Sequence, residues 1–114
     1  MFKLGQSDRY SYPVNVEIVG DGGVRRAFTF DAVFRRLSAD EYAAMMRRAR
    51  DGELDDITIA RDVLWGWDKV VDDEGEKLAF SETNRDVLLN VWPVLPALMA
   101  AFLESNTPKG KAKN

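Results

Sequence analysis

The sequence predicts an α+β domain in which an N-terminal antiparallel β-hairpin is packed by about four helices. Three observations carry this. Two stretches alternate apolar and polar residues around a glycine-rich turn. A capping box then opens a segment with helical apolar spacing. Further capped segments follow, and prolines divide the last of them.

The first alternating run places Tyr12, Val14, Val16 and Ile18 on one face, with Pro13, Asn15 and Glu17 opposite. Gly20-Asp21-Gly22-Gly23 supplies residues that tolerate positive φ. The second run places Phe28, Phe30, Ala32 and Phe34 together, against Thr29, Asp31 and Arg35. A two-stranded hairpin is marginal in water, so its apolar face needs a cover. Ser38-Ala39-Asp40-Glu41 begins that cover as a capping box, and Tyr42, Met45, Met46 and Ala49 form its stripe. Arg47, Arg48 and Arg50 suit the helix C-terminus, and Asp51-Gly52 ends it.

A second helix begins near Asp55 or Asp56, with Ile57, Ala60, Val63, Leu64 and Trp67 as its expected stripe. Residues 69–80 read as a possible short second hairpin around the acidic turn Asp73-Glu74-Gly75. Ser81 caps a third helix whose expected core positions are Val87, Leu88 and Val91. Trp92-Pro93 stops or kinks it. Pro93 or Pro96 then sits in the first turn of a last helix, with Leu95, Leu98, Met99, Phe102 and Leu103 on its stripe. The domain is expected to span residues 1–104, with residues 105–114 a disordered basic tail.

The 114 residues suit one domain. At 46% hydrophobic and 31% charged, the composition is globular. With no cysteine and no histidine, disulfides, thiol nucleophiles, Cys/His zinc sites and histidine triads are excluded. The net charge of −3 conceals an asymmetry, since residues 1–104 carry 13 basic and 19 acidic residues. A body that acidic is a poor polyanion binder unless its arginines converge. The opening Met1–Gln6 lacks a long apolar run. The apolar-rich 91–103 stretch falls short of the ~20 residues of a membrane span. No membrane association and a cytoplasmic location are therefore expected.

Each motif that invites chemistry has a plainer explanation. In Asp72-Asp73-Glu74-Gly75-Glu76, aligning Gly75 with the glycine of a calcium loop puts Val70 and Ser81 at the terminal ligand positions, where acids are required. Asp55, Asp56 and Asp62 could supply paired carboxylates for acid–base work, but N-cap and first-turn duty explains Asp55 and Asp56 better. The glycine-rich turn leads into a strand, whereas a phosphate cradle leads into a helix. No cofactor or metal is expected. Arg25-Arg26, Arg35-Arg36, Arg47-Arg48 and Arg50 are the argument for a small nucleic-acid-binding regulator, a reading disfavoured because the strand aromatics share the core face. Trp65 and Trp67 cannot share one helix face: either the helix has ended and both are buried, or one is exposed, as at a partner surface. Trp65, Trp67 and Trp92, with Leu98 and Phe102 of the last helix, are the candidate partner contacts.

The run from Gly66-Trp67 through Val70, Asp72, Gly75 and Phe80-Ser81 to Asn84 resembles a segment of the small tail assembly chaperones of long-tailed bacteriophages and prophages. That segment reads Gly-Trp-x-x-Val-x-Asp-x-x-Gly-x-x-x-x-Phe-Ser/Thr-x-x-Asn. The hairpin ending in Phe30–Ser38 and the trailing Ala97, Ala100, Ala101 and Phe102 extend the resemblance over roughly residues 12–104. It implies a non-catalytic protein that binds the tape measure protein and helps recruit tail tube protein around it. It also implies a site of action in the bacterial host cytoplasm and absence from the mature virion. Self-association along a long client fits the physics of multivalent holding. An ordinary phage structural subunit is the other alternative.

Overall fold

The protein is described here by a computed structural model, which covers residues 1–109. β1 (Arg9–Val19) and β2 (Arg25–Arg35) form the expected antiparallel hairpin, in register from Arg9 opposite Arg35 to Val19 opposite Arg25. Gly22 and Gly23 take φ of 68° and 77° in the connecting turn, a region that favours glycine. α1 (Ala39–Arg50), α2 (Asp56–Val63), α3 (Glu82–Leu89) and α4 (Val94–Ser105) supply the four helices. The fold is α+β, as the sequence predicts.

The sheet gains a third strand that helical spacing had concealed. α2 stops at Val63, and Leu64–Asp68 continues as β3, antiparallel to β2. Trp67 therefore lies on a strand opposite Ala32, not on a helix stripe. The ladder slips between Val33 and Phe34, so Phe34 faces Leu64, Val33 faces Gly66, and Trp65 has no partner. This bulge brings Leu64 and Trp67 to the same face, where regular alternation would have paired Leu64 with Gly66. A Cβ at Gly66 would come into contact with the Val33 Cβ at 3.4 Å.

The core lies between the sheet and α2 and α4. Val14, Ala32, Phe34, Ala60, Val63, Leu98 and Phe102 are buried. Phe34 and Phe102 meet edge to face with ring centroids 5.4 Å apart. α4 is pinned to β1 at its far end. Tyr12 donates its hydroxyl to Glu104, Tyr10 and Ser105 share a hydrogen bond of 2.7 Å, and Asn106 donates to the Tyr10 hydroxyl at 3.2 Å. Helix and caps continue through Ser105 to Thr107, past the expected start of the tail at 105; residues 110–114 lie outside the described part.

Three expectations about burial are corrected. Phe28 is 55% exposed, because the 11-residue strands carry the hairpin tip beyond the helices that cover its base. Val87 and Val91 of the third helical segment face outward while Leu89 is buried. Leu103 also faces outward. The possible hairpin over 69–80 is reduced to one bridge, Val71 with Lys77, around the turn.

The caps form as read. Ser38 and Glu41 complete a reciprocal capping box, and Asp55 and Ser81 each accept from an amide three residues on. Pro93 precedes α4, and Pro96 sits in its first turn. Three carboxylates are held below their ordinary range. Glu41 is lowered by the Ser38 amide and then Arg35, Asp55 by Thr58, and Asp86 by Arg85 and then Arg61. Groups lowered on folding stabilise fully above their unfolded pKa, and that contribution is lost as pH falls through the folded values. Stability should therefore hold from neutrality to about pH 4.5 and decline below it. Urea midpoints measured from pH 7 to pH 3 check this, and Glu41→Gln should flatten the acid limb by removing one of the three groups.

Candidate functional site

The residues that carry the family resemblance build one self-bracing loop. The Trp67 indole N–H donates to the Leu78 carbonyl at 2.8 Å, and its ring meets Phe80 edge to face at 4.9 Å. Val70 is buried. The Asp72 carboxylate accepts the amides of Glu74 and Glu76 at 2.9 and 3.0 Å, closing an Asx-type turn. Gly75 takes φ of 81° in that turn. Ser81 caps α3, and Asn84 donates back to the Ala79 carbonyl at 2.8 Å. The pattern is one of folding residues, each holding the path from β3 to α3.

The five candidate contacts separate by position. Leu98 and Phe102 have no exposed surface, so as partner contacts they are corrected: they form the core under the sheet. Trp67 is half-buried and occupied by the loop it braces. Trp65, the bulged residue, is turned outward, and the Arg9 guanidinium lies over its ring at 4.9 Å. Trp92 is 78% exposed, at the corner where α3 and α4 turn through 104°. The structure does not gather the three tryptophans into one site.

Other apolar side chains are exposed on the chain that leads to the corner at Trp92. Val71, Val87 and Val91 are exposed, and a cleft of about 280 Å³ runs among Val71, Leu78, Val87, Leu88 and Val91. Val19, Val24 and Phe28 form a second exposed apolar group at the hairpin tip. The sequence holds a signal for the first surface: α3 and its exit carry Val87, Leu88, Leu89 and Val91, more apolar residues than one buried face of so short a helix can take. β1 forms a free sheet edge, and Pro13 sits on it, where the missing amide N–H discourages strand addition.

The arginines are spread over several elements, and some of them are ion-paired. Arg25 pairs with Glu17, Arg35 bridges Glu41 and Asp62, and Arg61 and Arg85 both contact Asp86. A cleft of about 440 Å³ between Arg9, Arg61, Arg85, Trp65 and Phe80 also holds Glu82, so its charge is mixed. Among the described residues no group of three or more acidic side chains is arranged to hold a metal ion. No single helix there is long and apolar enough to cross a membrane. No family model, curated protein or solved structure matches the chain.

Position separates the candidates by stability. Phe102→Ala should cost about 3–5 kcal/mol, whereas Trp92→Ala should stay within about 0.5 kcal/mol of the parent. Trp67→Ala should cost on the order of 3 kcal/mol through lost ring packing and an orphaned Leu78 carbonyl. Urea unfolding of the three variants provides the comparison.

Proposed function

We propose that this chain works without catalysis, as a phage tail assembly chaperone that binds the tape measure protein and assists assembly of the tail tube around it. The observation that carries the reading is the exposure of Val71, Val87, Val91 and Trp92 on a domain that buries a separate core. A large exposed apolar patch on a small domain marks a site for another chain, and an exposed tryptophan is the side chain best suited to anchor one. The resemblance over Gly66–Asn84 supplies the identity of that chain. The net charge of −6 over residues 1–104 keeps such a surface in solution. On this reading the protein acts in the bacterial host cytoplasm, contacts tail tube protein during assembly and is absent from the finished virion.

Co-expression with a phage tape measure protein from the same genome tests the proposal. The tape measure protein should move from the pellet to the soluble fraction and be recovered in complex with this chain. Trp92→Ala should lower that recovery several-fold with no loss of fold. A tape measure protein equally insoluble with and without the chain, and no recovered complex, would overturn the reading.

A further inference from the structure

We propose that the segment Phe2-Lys3-Leu4 of one copy docks into the apolar cleft beside α3 of a second copy, giving a dimer joined by exchanged N-terminal arms. The cleft has an apolar floor of Val71, Leu78, Val87, Leu88 and Val91. Its volume, about 280 Å³, lies below the ~300–1,000 Å³ usual for small-molecule pockets and suits inserted side chains. Asp72 and Asp73 also line the cleft, at the start of the acidic turn Asp72-Asp73-Glu74-Gly75-Glu76. None of its four carboxylates is ion-paired among the described residues, whose ion pairs lie elsewhere. An occupant of this cleft therefore needs large apolar side chains flanked by positive charge.

The chain itself contains that occupant. Phe2 is 82% exposed and Leu4 92% exposed, with Lys3 between them also free of any ion pair among the described residues. The arm is anchored behind these residues. Arg36 donates its backbone amide to the Asp8 carbonyl at 2.9 Å and its side chain to the Ser7 carbonyl at 2.8 Å. Residues 2–4 thus project from a fixed point, with a reach of at most ~18 Å. Within one copy both arm and cleft are uncovered, so a second copy supplies the complement to each. Two-fold exchange uses the same patch on both subunits and closes the assembly. The arm covers Val71, Val87 and Val91, part of the surface assigned above to the client, so this inference rests on no client being bound: the exchanged dimer is the client-free form.

The chain has no cysteine, so an engineered pair reports without background. A Leu4→Cys chain mixed with a Val87→Cys chain should form an inter-chain disulfide under mild oxidation. Sedimentation of the unmodified protein, with no client present, should give a dimer. Phe2→Ser with Leu4→Ser should raise its dissociation constant at least tenfold. Lys3→Glu should weaken the dimer, and adding Asp73→Lys should restore it. All of these substitutions fall on the exposed residues Phe2, Lys3, Leu4, Asp73 and Val87, so folding is not at stake. A monomer at every concentration would overturn the proposal, as would a dimer indifferent to the arm. So would a Leu4→Cys, Val87→Cys double variant that closes only within one chain, since the arm would then cover its own cleft.

Discussion

The whole arrangement depends on the bulge at Trp65. Leu64 and Trp67 are three residues apart, and a regular strand would send them to opposite faces. One unpaired residue between them lets both face the core, with Leu64 opposite Phe34 and Trp67 opposite Ala32. Leu64 closes the floor of the core, and Trp67 reaches forward to fasten the following loop through Leu78 and Phe80. Without the bulge, either the core loses Leu64 or the loop loses its brace. The same slip drives Trp65 outward, under Arg9.

From that point the division between core and surface follows. The hairpin base is covered by α2 and α4, and its tip extends past them within a molecule 45 Å long. α3 is short and delivered by the braced loop in one orientation, with Leu89 inward. Val87 and Val91 are left outside by that orientation, and the tight corner into α4 raises Trp92 above the surface. The exposed apolar surface is thus a geometric result of how α3 is presented. The neighbouring acidic turn holds its shape through Asp72 and leaves Asp73 on the lining of the cleft.

The charges follow a complementary logic. Those near the core are committed locally: Arg35 bridges α1 and α2, and Asp86 ties Arg61 to Arg85. Adjacent arginines on a strand point to opposite faces, so Arg25-Arg26 at the start of β2 do not share one.

The sequence by itself determined the local features, because their physics is local. The hairpin alternation, the capping box at Ser38, the caps at Asp55 and Ser81, and the break at Pro93 all rest on neighbours within four residues. Only the tertiary structure decided the fates of residues that two geometries fit equally. Ile57, Ala60, Val63, Leu64 and Trp67 match a helical stripe, yet the free edge of β2 captures the last two as a strand, since an unpaired ladder edge is satisfied by pairing. Phe28 matches a core strand, yet no helix reaches it. Trp92, Leu98 and Phe102 read alike as apolar residues of a terminal segment; the packing of α4 against β1 buries two and exposes one. Which apolar residues form the core and which face a partner depends on distant contacts, and spacing along the chain does not encode them.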